Sequence, residues 1–286
     1  MSTIKSFHKK QMKIIIPFLV IMSCFNNGCM QSQDLVIEEK TNTTNVFQLN
    51  FENDSIGAYL ERSLTNTIGA VDWMDLDDRA SIQKDAVHGN VLKVKYPKGN
   101  IGSKGSGIQF VKPLPKSDEY YLDYEIKFQD GFEFVLGGKL PGLTSGGSEY
   151  TGGTHPDNGE GWSARYMWVK EGEIIVYFYH MDMKKKWGDA IKMNTTFKTG
   201  QWYRITQHIK LNKADKFNGI MEVWIDGVKV LNDTDVRYRL APLGMIDTFY
   251  FSTFYGGNTA KWAPPSDNYC YFDNFIVSKK KPKGLE

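Results

Sequence analysis

The chain has 286 residues, 41% hydrophobic and 14% aromatic, with 35 Lys and Arg against 33 Asp and Glu. That apolar content is ample for one large core or two small ones, and a formal charge of +2 excludes a general polyanion or nucleic-acid binder, which needs a strong basic field. Three cysteines, Cys24, Cys29 and Cys270, exclude a disulfide framework.

The chain opens on a targeting pattern. Lys5, Lys9, Lys10 and Lys13 precede an apolar run over residues 14–22, too short to span a membrane as a permanent helix. Residues 1–23 are read as a lipoprotein-type signal peptide, with Cys24 as the lipid attachment site and Cys29 as a second choice. The polar residues 24–45 read as a flexible tether. This implies an exported protein anchored at the outer membrane or cell surface, facing the periplasm or the outside. Removing the leader takes four lysines and no acid from the 35-to-33 balance, so the mature chain is mildly acidic. Residues 279–286, with Lys279, Lys280, Lys281 and Lys283, form a basic tail. Any anionic partner must therefore be held by a local cluster of cations within the domain, residues 46–278.

Within that domain the alternation is that of strands. Residues 46–52 and 91–96 form short ones; residues 65–85 are mixed, loop or a turn of helix. Residues 119–128 set Tyr120, Leu122, Tyr124, Ile126 and Phe128 against Tyr121, Asp123, Glu125 and Lys127, a half-buried strand. A hairpin-like turn at 129–131 leads to a strand-like run over 132–139 that ends on Lys139. Residues 137–161 hold nine glycines and two prolines. A loop so long and glycine-rich on a β scaffold reads as a cover over a concave groove.

The two segments after the loop carry the candidate chemistry. Side chains alternate along a strand, so Ser163 and Arg165 share one face, as do Tyr177 and Tyr179, while Ile174, Val176 and Phe178 form the opposite, core-facing pattern. Further strands follow at 202–211, 219–231, 247–257 and 269–278, with tight turns at Asn218-Gly219 and Asp226-Gly227. Cys270, set among aromatics, reads as a small buried residue. Roughly 12 strands and no long helix indicate an all-β single domain, a β-jelly roll or β-sandwich.

No zinc spacing, phosphate loop or nucleophile elbow is present. His88, His155, His180 and His208 lie in separate segments, so neither a metal cluster nor a cofactor is expected. Glu125, Glu133 and Glu173 are conceivable glycosidase carboxylates but read as exposed strand charges. Lys139, Arg165, Tyr177 and Tyr179 instead suit β-elimination at a uronic acid. That reaction needs a positive charge to stabilise the enolate forming at the carboxylate, an acceptor for the carbon 5 proton and a donor for the oxygen leaving carbon 4. The same residue types also occur as strand packing and solvated charge.

The segment 137–179 resembles polysaccharide lyase family 14, which includes alginate and glucuronan lyases of jelly-roll fold. The resemblance rests on Lys139 after Gly137-Gly138, the pair Ser163 and Arg165, and the pair Tyr177 and Tyr179, in that order and near the family's spacing. It extends more loosely over 92–278, through Trp202, the run 254–257 and the less specific 272–275. It implies a metal-independent lyase on a 1,4-linked polyuronate, alginate before glucuronan. Lys139 would neutralise the carboxylate or assist proton transfer, Tyr177 and Tyr179 would be the acid/base pair, and Ser163 and Arg165 would hold substrate. Tyr255, Lys261 and Trp262 are weaker substrate-binding candidates, Lys261 for a carboxylate and Trp262 for stacking. The implied partner is an anionic polysaccharide, and the protein is read as a monomer. A non-catalytic surface glycan-binding lipoprotein is the second reading, and a jelly-roll glycoside hydrolase the third.

Overall fold

The computed structural model describes residues 44–286; the signal peptide, Cys24, Cys29 and nearly all of the tether lie outside them. Sixteen strands and one short helix follow in order: β1 (Asn45–Leu49), β2 (Gly57–Ala58), α1 (Glu61–Ile68), β3 (Trp73–Asp75), β4 (Ala80–Asp85), β5 (Gly89–Tyr96), β6 (Ile108–Ser117), β7 (Glu119–Phe128) and β8 (Gly137–Ser145). Then come β9 (Trp162–Val169), β10 (Glu173–Tyr179), β11 (Asp189–Thr196), β12 (Trp202–Lys210), β13 (Gly219–Ile225), β14 (Val228–Val236), β15 (Ile246–Tyr255) and β16 (Asn268–Ser278).

The strands form two antiparallel sheets. One has nine strands in the order β14-β13-β12-β7-β16-β5-β4-β2, with β1 also on β16; the other has seven, β11-β10-β9-β8-β15-β6-β3. Alternate residues of both sheets meet in one core. Tyr124, Ile126 and Phe128 enter it from β7 and Phe272 from β16; Trp162, Ala164, Tyr166 and Trp168 enter from β9 and Phe249 and Phe251 from β15. Burial of the aromatic faces between the sheets is the main driving force for the sandwich. The architecture is the expected all-β jelly roll, and Cys270 is buried in its core.

Three expectations need correction. Residues 132–136 are not a strand: Phe132 and Phe134 pack inward from an irregular segment, Val135 has φ of +50°, and the strand begins at Gly137, so Lys139 stands near the start of β8 rather than at a strand's end. The glycine-rich loop is correspondingly shorter, residues 146–161. The mixed segment 65–85 contains the end of α1 and the strands β3 and β4. The basic tail is also docked: the Glu286 amide donates to the Gly227 carbonyl at 2.9 Å, and the Trp224 indole donates to the Glu286 carbonyl at 2.9 Å.

Candidate active site

The outward face of the seven-stranded sheet carries the site. Register sets Tyr177 on β10 opposite Arg165 on β9, Arg165 opposite Gly142 on β8, and Gly142 opposite Tyr250 on β15. The row continues through Val111 on β6 to Trp73 on β3. Gly142 has no side chain, so the Arg165 guanidinium extends across β8 and lies 5.0 Å from the Tyr250 ring centroid. Its Nη1 donates to Ser252 Oγ at 2.9 Å. A Cβ on Gly142 would come within 2.3 Å of the Ala164 carbonyl oxygen, so the strand crossing itself requires glycine there.

Lys139 pairs with Met167 in register. A bulge between Leu140 and Gly142 keeps Lys139 on the same face as the row, although three positions separate it from Gly142. Its Nζ lies 2.8 Å from Met167 Sδ and 3.7 Å from the Tyr177 ring centroid. The Tyr177 and Tyr179 hydroxyls are 3.3 Å apart, with their rings nearly perpendicular at 86°. The structure thus brings Lys139, Arg165, Tyr177 and Tyr179 together.

The electrostatics of this cluster are one-sided. Neither Lys139 nor Arg165 has a carboxylate partner among the described residues, and Arg165 is only 2% exposed, with its Nε unpartnered. Burial, reinforced by the Arg165 charge, holds the Lys139 ammonium well below the usual lysine range. Burial likewise lowers Arg165, partly offset by Tyr250, Tyr179 and Tyr177. Burial and the Tyr179 hydroxyl push the Tyr177 phenol up. Two adjacent cationic side chains without a carboxylate partner, Arg165 buried and Lys139 half-buried, are costly to charge together, and an incoming carboxylate would relieve that cost.

The loop 146–161 closes one end. The Gly153 amide donates to the Tyr179 hydroxyl at 3.1 Å, and the Trp73 indole donates to Ser148 Oγ at 3.0 Å. Ser163 is fully buried and donates to the Tyr150 carbonyl at 2.8 Å. Its hydroxyl therefore holds the loop instead of facing a substrate.

The remaining sequence candidates lie elsewhere. Tyr255 faces the core, 0% exposed, stacked 5.8 Å from Phe132 and donating to the Glu133 carbonyl. It belongs to the packing because plain alternation along β15 puts it on the side of Phe249 and Phe251, which face the core. Lys261 is exposed on a 3-10 turn (Ala260–Trp262), and Trp262 packs over Gly257, where a Cβ would fall 2.1 Å from the indole. Sequence reasoning missed Met167, Tyr250, Ser252 and Gln109. Tyr250 donates to Gln109 Oε1 at 2.6 Å, and both lie on the site face because Ile108, Phe110, Phe249 and Phe251 take the core. That alternation is visible in the sequence, but with most of the residues aromatic on both sides it did not say which side was out. The glycosidase carboxylates do not converge here: Glu125 is on the nine-stranded sheet, Glu133 accepts from Ser266 at 2.6 Å, and Glu173 pairs with Lys192 at 3.2 Å.

The family profile described as Polysaccharide lyase 14 matches residues 84–275. Among solved structures, the alginate lyase Aly36B is 28% identical, with a TM-score of 0.71, covering 84% of this chain and 98% of that one. A mutant of that enzyme has been solved in complex with alginate tetrasaccharide. The marine alginate lyase of Aplysia kurodai is 23% identical, with a TM-score of 0.72, over 82% of this chain and 99% of that one. The endo-beta-1,4-glucuronan lyase of the fungus Trichoderma reesei shares the fold at 12% identity and a TM-score of 0.51, over 82% of this chain and 96% of that one. No curated protein matches the chain. With the family profile covering the whole stretch from β4 to β16, the chain belongs to polysaccharide lyase family 14 and is a polysaccharide lyase.

Proposed function

We propose that this lyase cleaves a 1,4-linked polyuronate, alginate in preference to glucuronan, by a β-elimination run by its own side chains. The observation that carries this reading is that the Lys139 amine and the Arg165 guanidinium, neither with a carboxylate partner among the described residues, stand beside two phenols. The similarity to Aly36B, whose mutant binds an alginate tetrasaccharide, supports the choice of polymer.

In this reading Arg165 supplies the positive field for the uronate carboxylate, so that negative charge moving onto it in the transition state is stabilised in a poorly solvated site. Lys139, biased toward its neutral amine by burial and by Arg165, takes the proton from carbon 5. The electron pair of that C–H bond becomes the carbon 4–carbon 5 double bond as the carbon 4–oxygen bond breaks. The departing oxygen receives a proton from the Tyr177–Tyr179 pair, where Tyr177 remains protonated because its phenol is pushed up. The Gly153 amide occupies a lone pair of Tyr179 Oη, which leaves that hydroxyl free to donate.

Mass spectrometry of the products tests the reaction class. Elimination yields oligosaccharides carrying one unsaturated end and lacking the elements of water relative to hydrolysis products. Saturated products would instead require a hydrolase, and binding without cleavage would support a glycan-binding protein. We further read the chain as a lipoprotein acylated at Cys24, tested by metabolic palmitate labelling that is lost in Cys24→Ser; labelling that survives there and disappears in Cys29→Ser would move the site.

A further inference from the structure

On the other sheet, three side chains from distant parts of the chain converge. Glu125 on β7 lies opposite Asp273 on β16, and both point away from the core, because Tyr124, Ile126 and Phe272 point into it. His88, in the turn between β4 and β5, reaches over them. Its Nδ1 lies 3.2 Å from Glu125 Oε2 and 4.0 Å from Asp273 Oδ2, and one donor atom from each of the three residues falls within 4.8 Å of the others. The histidines lie in separate segments, as their spacing in the sequence has it, but strand register sets Glu125 beside Asp273 and the β4–β5 turn carries His88 to them.

Asp273 is the unusual member. It is 1% exposed, and its Oδ1 has no hydrogen-bond partner. An ionised carboxylate in that state is costly unless a cation completes it. The neighbouring side chains Glu125, Glu52 and Asp85 are carboxylates and cannot offset its charge. Lys127, two residues after Glu125 on β7, is committed to Asp85. A His88 imidazolium does not complete Asp273 either: at 4.0 Å the approach is too long for a hydrogen bond.

The donors are also held in place. The His88 ring packs against Trp202 with centroids 4.1 Å apart and planes tilted by 32°, and the Asn274 side-chain amide donates to Glu125 Oε2 at 2.7 Å. Asn274 has φ of +53°, and the bulge that follows Asp273 sets the carboxylate at this spot. Outer hydrogen bonds and packing of this kind fix the orientation of metal ligands.

We propose that His88, Glu125 and Asp273 bind a divalent cation that accepts imidazole nitrogen, Zn²⁺ or Mn²⁺ rather than Ca²⁺, on the sheet opposite the lyase site. One nitrogen and two carboxylate oxygens suit such ions, whereas Ca²⁺ takes oxygen alone. Donors bound to one tetrahedral zinc at about 2.0–2.2 Å stand about 3.3–3.6 Å apart; the His88–Glu125 separation of 3.2 Å is near that range, and Asp273, 4.0 Å from His88, would have to draw in as the ion binds. The ion ties β7, β16 and the β4–β5 turn together and supplies the charge that Asp273 lacks. Its role is structural, so this proposal is independent of the polymer the enzyme cleaves.

The test uses purified protein stripped with chelator, titrated separately with Zn²⁺, Mn²⁺ and Ca²⁺ by calorimetry and followed by thermal unfolding. The expected result is one Zn²⁺ or Mn²⁺ per chain with a rise in Tm, and affinity at least about tenfold weaker in both His88→Gln and Asp273→Asn. Without metal, Asp273→Asn should unfold at or above the Tm of the stripped parent, because the variant no longer buries a partnerless carboxylate. The proposal is overturned by no binding, by binding of Ca²⁺ alone, or by Zn²⁺ affinity unchanged in both variants. It is equally overturned if metal-free Asp273→Asn unfolds well below the stripped parent, since that would reveal a stabilising His88–Asp273 ion pair instead.

Discussion

Lys139 Nζ lies 3.7 Å from the Tyr177 ring centroid and has no carboxylate partner among the described residues. The ring shields the amine from water and leaves its charge uncompensated beside Arg165. Replacing Lys139 by Met should therefore separate activity from stability: turnover should fall about 10²–10⁴-fold with loss of the proton acceptor, while Tm rises because the fold no longer holds an amine whose charged form it disfavours. Parallel kinetics and calorimetry check both signs. A variant that loses stability together with activity would argue against the electrostatic reading.

The same shift sets a pH dependence. The Lys139 ammonium is disfavoured in the folded state by burial and by Arg165, so the amine becomes available below the ordinary lysine value of about 10.4. The rising limb of kcat/KM should lie in that lowered range, and the falling limb above about 10, since Tyr177 is held protonated. For stability the sign follows from the depressed folded value of a basic group. Folding gains as pH rises from the lowered folded pKa to the unfolded one. Lys139→Met should remove this gain, measured as urea stability across that window.

The two tyrosines should differ. Tyr179 accepts the Gly153 amide of the loop 146–161 at 3.1 Å as well as facing Tyr177, whereas Tyr177 takes its backbone hydrogen bond from Gly188, between β10 and β11. Both phenylalanine variants should lose activity, but only Tyr179→Phe should also speed hydrogen exchange of the Gly153 amide, as its hydrogen bond worth about 1 kcal/mol is lost. Equal exchange in both variants would show that the loop is held by other contacts.

Arg165 depends on its neighbours. Ser252→Ala leaves Nη1 without its 2.9 Å partner in a side chain whose Nε already has none. We expect kcat/KM to fall about tenfold, the size of one lost charged hydrogen bond. Arg165→Lys should not rescue function, because an ammonium cannot keep both the hydrogen bond to Ser252 and the cation–π contact over Tyr250 that the guanidinium makes across Gly142.

Gly142→Ala tests the link between fold and site. The added Cβ would meet the Ala164 carbonyl oxygen at 2.3 Å and Arg165 Cα at 2.7 Å, backbone that cannot rotate away. The cost should be about 1–3 kcal/mol of stability, and activity should fall further than the folded fraction does because β8 and β9 shift against each other.

Much of the architecture was legible because alternation exposes a half-buried strand. Residues 119–128 show it, and so do Ile174, Val176 and Phe178 against Tyr177 and Tyr179. Lys139 was misplaced along its strand because Phe132 and Phe134 mimic alternation while packing from a coil. Tyr255 was misread for a different reason: a tyrosine beside glycines looks like a groove residue, although its parity with Phe249 and Phe251 puts it on the core side. Pairing across the sheet was not legible at all. Neither the row from Tyr177 to Trp73 nor the meeting of His88 with Asp273 is encoded in local spacing, since antiparallel register joins residues far apart in the chain.

The most direct test of the central claim is ultraviolet absorbance of the unsaturated uronate formed when the enzyme is mixed with alginate and, separately, with glucuronan, with and without chelator. The account predicts a rise on alginate that exceeds that on glucuronan, persists under chelation and disappears in Lys139→Met. A flat trace on both polymers, or a rise that persists in Lys139→Met, would contradict it.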